Sequence, residues 1–463
     1  MRSGGRARTV SGRRRRQGVL AAALLVAGGC SMAGVPPAAP PRTGPSDASL
    51  PDRPPQPAAP AGQPAAGAGA GPGGTARALR RFAEVRGLWV VRFSLSGPAS
   101  VDAVVERADR AGFNTLLVQV RGRGDAVHAS TLEPRTLVLA GQPDSFDPLE
   151  RIIRQAHARG MAVHAWVNLN VVTDLTTLPT DARHLARAHP EALMVPRALA
   201  RELAAVSPYD PRYPERLLAW SRANSERVEG LYAGPWSMPV RERAVAVSLE
   251  LAERYDLDGI HLDYMRFPGP DFDYSAGALA AFRGWAAPHL STDRRRTLDR
   301  AAEHDPLAWA DRLPDLWSAF RREQITTLLE WIHFGVKARR PWMTISAAVV
   351  PDTAEARRDR LQDWPAWARA GLLDAVAPMA YAPDDRRFRR QVAGALAAVP
   401  RPGPELWAGI GSYLAGLEGT LTKIAIARDL GADGVVLFSY DWAVGASGRE
   451  DFLDRVGGSS FGR

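Results

Sequence analysis

The feature that most constrains this chain is an eightfold alternation of short apolar runs with longer amphipathic stretches. The apolar runs, which predict strands, cover residues 86–91, 115–121, 162–168, 259–265, 343–350, 375–381, 406–411 and 434–441. The amphipathic stretches predict helices at residues 103–111, 149–159, 242–255, 316–338 and 387–398. Glycines stand where helices preceding a strand would end, at Gly112, Gly160, Gly371 and Gly431.

This alternation predicts an α/β fold with a parallel sheet, because parallel strands need crossover helices. Eight such units close naturally into a (β/α)8 TIM barrel. An open doubly wound sheet is the alternative, but no glycine-rich phosphate-binding turn follows the first strand.

Two connections are too long for simple loops and predict insertions after strands three and four. They run from residue 169 to about 240 and from residue 267 to about 314. Both follow a strand, which places them at the C-terminal face, where barrel enzymes hold their active sites. The first contains aromatic residues that could stack on sugar rings or pack a small core of the insertion: Tyr209, Tyr213, Trp220, Tyr232 and Trp236.

The first 83 residues differ in composition from the rest. Arginines at 13–16, an apolar run at 19–27 and two glycines precede Cys30, the only cysteine, which predicts a signal peptide over residues 1–30. Small residues before Cys30 resemble a bacterial lipobox and predict acylation of this cysteine; an ordinary signal peptide is the alternative. Residues 31–83, rich in Pro, Ala and Gly, predict a disordered tether, with the barrel over 84–463.

These features predict an exported protein held on a lipid bilayer through Cys30. Ser31 follows the cysteine, and the absence of Asp there favours the outer membrane, facing the periplasm. The formal net charge is +9, but residues 1–82 alone carry 12 arginines and two aspartates. The remainder is therefore nearly neutral, which argues against a nucleic-acid partner.

Polar residues recur on one face of several predicted strands near their C-terminal ends. Residues two apart in a strand share a face, which groups Gln119 with Arg121, His164 with Trp166 and Asn168, His261 with Asp263, and Ser439 with Asp441. A purely structural barrel interior would hold branched apolar residues. The pattern therefore predicts a site at the C-terminal face.

Asp263, near the end of strand four, is the first candidate for a catalytic carboxyl. Glycoside hydrolysis usually needs two carboxyls, and we expect Asp263 to act as nucleophile or base with Asp125 or Asp441 as acid. A salt bridge of Asp263 with Arg266 or Arg121 is the structural alternative. Asp352 is better explained as a helix N-cap, and Glu133 is a further acidic residue near the cleft. The predicted substrate-binding residues are Gln119, Arg121, His164, Trp166, Asn168, His261, Arg266 and Tyr381.

No cofactor is expected, and no metal site is predicted. His164, His261 and Asp263 could in principle bind zinc, but no HExxH helix occurs. The alternative for both histidines is hydrogen bonding within the barrel. No GxSxG motif is present either.

Several strings in this sequence resemble the glycosyl hydrolase-like 10 family. They are EVRGLW at 84–89, GFNTLLVQVR at 112–121, GDA at 124–126, HAWVN at 164–168, DGIHLDYMRFP at 258–268 and GVVLFS at 434–439. The resemblance implies a TIM barrel, export with a lipid anchor, and hydrolysis of cell-envelope glycan, particularly peptidoglycan strands stripped of their peptides. Family-10 xylanases place Glu on strands four and seven; strand four here has Asp263, and the only acidic residue near strand seven is Glu405, at its N-terminal end, so that mechanism is not carried over.

The leading hypothesis is a glycoside hydrolase that acts on peptidoglycan-related glycan strands. The alternative is a non-catalytic glycan-binding envelope lipoprotein with a degenerate barrel site. A second carboxyl within reach of Asp263 would distinguish the two.

Overall fold

The computed structural model describes residues 82–447 and 450–462 and forms a closed parallel barrel of eight strands. Each strand pairs with the next, and β8 pairs with β1 to close the barrel. This confirms the predicted TIM barrel. The strands are β1 Val85–Val90, β2 Thr115–Arg121, β3 Ala162–Asn168, β4 Gly259–Asp263, β5 Thr344–Val349, β6 Ala375–Pro378, β7 Glu405–Gly411 and β8 Gly434–Phe438.

Helices follow every strand and cover the outside of the barrel. The first two are α1 Pro98–Arg110 and α2 Pro148–Ala158, followed by α3 Leu185–Ala188, α4 Ala200–Leu203, α5 Arg212–Ala223, α6 Met238–Arg254, α7 Ala276–Ala286, α8 Thr292–Ala302, α9 Ala308–Arg312, α10 Pro314–Arg339, α11 Thr353–Asp359, α12 Trp364–Arg369, α13 Asp385–Ala398, α14 Ser412–Asp429 and α15 Phe452–Val456. Positive φ angles at the four predicted helix-ending glycines confirm that role. Asp352 caps α11 by accepting from the amides of Ala354 and Glu355, as predicted.

The two faces of each strand have different surroundings. Outward side chains such as Ile260 and Leu262 join the large core between strands and helices. Inward side chains form a separate, largely aromatic core that includes Trp89, Trp166 and Trp407. The alternation predicted for β2, β3 and β4 is confirmed, since Gln119, Trp166 and Asp263 contact residues of the interior.

Both predicted insertions are present at the C-terminal face. Helices α3 to α5 lie between β3 and α6, and α7 to α9 lie between β4 and α10. Each insertion has its own apolar cluster. Of the aromatic residues in the first insertion, Tyr213 and Tyr232 are buried while Tyr209 is exposed, so most of these rings pack the fold instead of lining an open cleft.

A buried carboxylate joins the two insertions. Asp273, after β4, accepts hydrogen bonds from the amide of Val195 (2.9 Å) and from Trp236 Nε1 (2.8 Å), both in the first insertion. Burial raises the pKa of Asp273 to about 6.

The signal peptide, Cys30 and tether predictions lie outside the described residues. Among the described residues, no helix is both long and apolar enough to cross a membrane.

Candidate active site

Asp263 is the last residue of β4 and is buried at the C-terminal end of the barrel. Its Oδ1 accepts a hydrogen bond from the Tyr264 amide (2.6 Å), and its Oδ2 accepts one from Trp166 Nε1 (3.2 Å). Burial raises the pKa of this carboxyl, although the guanidinium of Arg266 acts in the opposite direction. The two donors hold the carboxyl in one orientation, and its raised pKa suits proton transfer.

A second carboxyl, Glu229, lies close enough for its charge to act on Asp263. It belongs to the first insertion, and its negative charge contributes to the raised pKa of Asp263. Glu229 accepts a hydrogen bond from the Tyr232 hydroxyl (2.5 Å), and its Oε1 lies 3.9 Å from Arg266 Nη2. The charges of both carboxyls therefore act on the guanidinium of Arg266.

The residue between Asp263 and Arg266 has an unusual backbone conformation. The backbone of Tyr264 has a φ of 52°, in the left-handed region that residues other than glycine rarely adopt. Its buried ring lies beneath two guanidinium groups: the Cζ atoms of Arg266 and Arg123 are 4.4 and 5.5 Å from the ring centroid. Such conformations concentrate at functional sites, and this one lies directly after Asp263 and two residues before Arg266.

Asp125 lies in the loop after β2 and has a different electrostatic setting from Asp263. Its Oδ1 accepts from the Arg123 amide at 2.8 Å. Burial opposes ionisation, but the charge of Arg92 and a hydrogen bond from Thr136 outweigh it, and the pKa of Asp125 is lowered. Asp125 is therefore held as a carboxylate, which does not suit the predicted acid role.

Arg92, at the end of β1, forms one wall of the site together with Gln119. Its Nη1 donates to Gln119 Oε1 at 3.2 Å, while Gln119 Nε2 is buried and has no hydrogen-bond partner among the described residues. Gly122 allows this approach, because a Cβ at that position would fall 2.4 Å from Arg92 Nη1. Asn168 Oδ1 is also buried with no partner in the part of the chain that the structure describes, while Asn168 Nδ2 donates to the Gly122 carbonyl (3.0 Å).

The predicted alignment of Ser439 and Asp441 on β8 is wrong. The strand ends at Phe438, and the side chains that enter the interior are those of Val436 and Phe438. Asp441 lies beyond the strand, where it accepts from the Val91 amide (2.8 Å) and the Ser94 hydroxyl (2.5 Å). Burial raises the pKa of Asp441 to about 6. Both carboxylate oxygens thus secure the end of β1.

The two barrel histidines are neutral and lie below the site. His261 Nε2 accepts from Trp89 Nε1 (3.1 Å), so its Nδ1 is the nitrogen that donates to Ser346 Oγ (2.9 Å). Burial lowers the pKa of His261 to about 3 and that of His164 to about 4. His164 pairs in the sheet with Gly259, the first residue of β4. The charges of Asp258 and Asp374, which directly precede β4 and β6, also act on the pKa of His164. The structure thus places His164 toward the N-terminal end of the barrel, away from Asp263.

Arg121 is fully engaged inside the protein. It forms a bidentate ion pair with Glu133, with Nε–Oε2 and Nη2–Oε1 distances of 2.7 and 2.6 Å, and also donates to the carbonyl of Leu169. Both side chains are about 1% exposed. The pair fixes the loop after β2 against the end of β3, and neither member is open to a ligand.

Aromatic rings form a surface on the opposite side of the barrel mouth. Tyr381, after β6, lies 5.5 Å from the Phe438 ring and 6.3 Å from Trp89. Tyr413, after β7, lies 6.1 Å from both Tyr381 and Phe438. Both tyrosines are half-buried, so part of each ring is available to stack on a sugar.

Residues 84–395 match the family described as Glycosyl hydrolase-like 10. The chain belongs to this family. The matched range includes residues 258–268 and 164–168, two of the segments that resembled the glycosyl hydrolase-like 10 family. These segments contribute Asp263, Arg266 and Trp166 to the site.

The relatives are distant. Glycosyl hydrolase DigH of Escherichia coli K12 is 25% identical over 340 residues, covering 66% of this chain and 67% of DigH. Glycosyl hydrolase YngK of Bacillus subtilis is 22% identical over 300 residues, covering 60% of this chain and 48% of YngK. Family membership supports a glycosidase-type function and a glycan substrate.

Two solved structures share the fold. The PgaB (BpsB) glycoside hydrolase domain from Bordetella bronchiseptica superposes with a TM-score of 0.53 and 15% identity, covering 78% of this chain and 95% of that domain. Alpha-L-fucosidase isoenzyme 2 from Paenibacillus thiaminolyticus gives a TM-score of 0.51 and 14% identity, covering 81% of this chain and 48% of the fucosidase. These similarities support the barrel architecture alone.

Sequence reasoning missed three charged residues of this glycosyl hydrolase-like 10 site. They are Arg92, Arg123 and Glu229, all more than 90% buried. Arg123 stands two residues before Asp125 in a glycine-rich turn, which could have marked it, but Glu229 has no local signal. Within the described residues, no group of three or more His, Cys, Asp or Glu side chains is placed to hold a metal ion.

Proposed function

We propose that this protein is a glycoside hydrolase that cleaves cell-envelope glycan, with peptide-free peptidoglycan strands as its substrate. The observation that carries the proposal is the carboxyl of Asp263, buried at the C-terminal end of β4 with the charge of Glu229 acting on it. Family membership and the half-buried tyrosines at the barrel mouth support it.

Asp263 is the proposed proton donor to the departing sugar oxygen. A general acid needs a raised pKa to stay protonated near neutral pH, and burial shifts the pKa of Asp263 in that direction. Asp125 has a lowered pKa, and Asp441 uses both oxygens at the end of β1. These contacts favour Asp263 over both for the acid role and reverse the role first expected for it.

Glu229 is the proposed second carboxyl, which activates water or attacks the sugar carbon. Its contacts with Tyr232 and Arg266 orient it as an acceptor beside Asp263. Retaining and inverting glycosidases both need such a pair. The proposal therefore assigns acid chemistry to a strand end and base or nucleophile chemistry to the first insertion.

The test is release of soluble fragments from purified glycan strands, with and without peptides. Wild type is expected to release fragments from peptide-free strands, and Asp263→Asn to release at least about a hundredfold less. The matched control is Asp181→Asn, which should retain activity. Asp181 forms an exposed ion pair with Arg183 in the insertion after β3, the insertion that also contains Glu229. Wild type that binds the strands as tightly as Asp263→Asn but cleaves none would replace this proposal with a glycan-binding role.

We also propose that the protein is exported and anchored through acylated Cys30, on the outer membrane facing the periplasm. The support is the arginine-rich start, apolar run and small residues that precede Cys30. Metabolic labelling with a radioactive fatty acid should mark wild type but not Cys30→Ser. Labelling of neither, with both proteins released in soluble form, would contradict the anchor.

A further inference from the structure

Three buried arginines lie in the loops near the proposed catalytic carboxyls: Arg266 acts on both carboxyls, Arg123 acts on Glu229, and Arg92 neighbours Arg123. Few acidic atoms lie close to them. Arg92, Arg123 and Arg266 are 7, 8 and 8% exposed. Among the described residues, the only acidic atom within 4 Å of any of these guanidinium groups is Glu229 Oε1, 3.9 Å from Arg266. Buried charges are costly unless they are paired and hydrogen-bonded. The site therefore has unused capacity to bind an anion.

Arg121, in the same barrel, is a buried arginine whose hydrogen-bond donors and charge are matched by partners. Arg121 uses three nitrogens in hydrogen bonds and has a bidentate carboxylate partner. Within residues 82–447 and 450–462, by comparison, the buried Nε of Arg123 has no hydrogen-bond partner, and Nη1 donates to the Gly122 carbonyl (3.2 Å). Several donors of Arg123 thus remain available.

The three guanidinium groups act on a common region. Arg123 and Arg266 both lie over the Tyr264 ring. Burial lowers the pKa of Arg92, and the charge of Arg123 lowers it further despite the opposing effect of Asp125. Both arginines also contact Gly122: a Cβ at that position would fall 2.4 Å from Arg92 Nη1, and Arg123 Nη1 donates to the Gly122 carbonyl (3.2 Å). An anion placed between the two guanidinium groups would reduce their repulsion.

The charge balance favours a single negative charge. When Asp263 is protonated, as its proposed acid role requires, Asp125 and Glu229 are the two carboxyl groups that stand against the three guanidinium groups. Asp174, the other acidic group that acts on Arg92, is exposed and screened by water. One carboxylate completes the balance, whereas a phosphate dianion exceeds it.

We propose that Arg92, Arg123 and Arg266 form a subsite for a carboxylate carried on a sugar ring of the substrate. The proposal rests on the proposed function for the assumption that a glycan occupies this mouth. Arginine forks match carboxylates in a bidentate manner. Phe93, whose ring lies 4.7 Å from Arg92 Cζ, adds an apolar contact beside the charge.

The experiment measures binding instead of turnover, using Asp263→Asn as the parent so that no ligand is cleaved. The ligands are soluble oligosaccharides from peptide-free glycan strands, with their carboxylates intact or chemically reduced to alcohols. A second pair is oligogalacturonate and its carboxyl-reduced form. Calorimetry is expected to show roughly ten- to a hundredfold tighter binding of the intact form.

Additional substitutions locate that preference. Arg123→Gln and, separately, Arg92→Gln should bind intact and reduced ligands equally, with affinity for the reduced ligand unchanged. Arg183→Gln, in the exposed pair with Asp181, is the matched control and should keep the preference. Arg92→Gln provides the same readout if Arg123→Gln does not fold.

The outcomes separate this inference from the proposed function. A carboxylate preference that persists in both arginine variants, or equal binding of intact and reduced ligands by the parent, would overturn the subsite. Arginine-dependent binding of oligogalacturonate without binding of peptide-free strands would uphold the subsite and reject the proposed substrate. Inorganic phosphate that displaces the intact ligand more strongly than acetate does would overturn the assignment to a carboxylate.

Discussion

Asp263 and Glu229 differ in the way the protein supports them. Asp263 is held by a backbone amide and an indole at the end of a strand, where burial dominates its ionisation. Glu229 is held by a tyrosine hydroxyl and an arginine on an inserted segment. Environments that separate the behaviour of two neighbouring carboxyls are what acid and base roles require.

The pH dependence of activity follows from this difference. Because the pKa of Asp263 is raised and its protonated form is the proposed acid, kcat/KM should fall as pH rises through that pKa. Glu229→Gln should lower kcat by about a hundredfold or more, while the fall of activity with rising pH stays. A Glu229→Gln variant that keeps wild-type kcat would reject Glu229 as the base or nucleophile.

Some of these residues could be predicted from sequence, and others could not, for a physical reason. Strand alternation identifies the face on which a side chain lies, and so Asp263, Trp166 and Gln119 were found. It does not identify depth: His164 shares its face with Asn168 but lies near the opposite end of the barrel. Glu229 depends on how a long insertion folds back, which no local pattern encodes.

At the scale of elements, the loop after β2 is fixed by ion pairs instead of by regular structure. The buried pair of Arg121 and Glu133 links this loop to the end of β3. Glu133→Gln would leave a buried guanidinium without its counter-charge and is expected to lower the free energy of unfolding by about 3–5 kcal/mol. Asp210→Asn, in an exposed pair with Arg212, should cost far less, because water screens the two charges. Urea denaturation of both variants makes the comparison, and equal losses would contradict it.

The same loop is also tied to α6 through Glu250. This carboxylate accepts from Ser130 Oγ (2.7 Å), from the amide of Thr131 (2.8 Å) and from its Oγ1 (3.0 Å), and it pairs with His128 (3.3 Å). Burial opposes ionisation, but these hydrogen bonds together lower the pKa of Glu250 to about 2.

The stability that Glu250 contributes should therefore depend on pH. Its folded pKa lies below the unfolded value, so the contribution is present above pH 4.5 and is lost as pH falls toward 2. Glu250→Gln is expected to cost about 1.5–3 kcal/mol at pH 7. The difference from wild type should shrink between pH 5 and pH 3 in urea titrations; a difference that stays constant would show that the ionised form is not what stabilises this tie.

At the scale of the whole molecule, the barrel could be predicted because the sequence contains eight apolar runs that each have the length of a strand. Every predicted strand overlaps an observed one, although β4, β6 and β8 end earlier than predicted, at Asp263, Pro378 and Phe438. In the sequence, the residues that follow these three strands continue the alternation that predicts a strand. In the structure they leave the sheet to build the mouth of the barrel.

A truncation tests whether the barrel is independent of the preceding segment. Because β1 begins at Val85, a chain without residues 1–81 should unfold cooperatively at the same urea concentration as the full chain. A chain without residues 1–91 also lacks β1, which leaves β2 and β8 with open edges, and it should lose cooperative unfolding. Circular dichroism during urea titration measures both, and cooperative unfolding of the shorter chain would contradict the prediction.

The seam between β1 and β8 joins Val85 to Gly434 and Leu88 to Leu437. These partners are about 350 residues apart, so the barrel cannot close until all of residues 85–438 have left the ribosome. Until then β1 and its neighbours present unpaired apolar edges, which are sites of aggregation. We therefore expect the nascent chain to depend on holding chaperones until β8 meets β1.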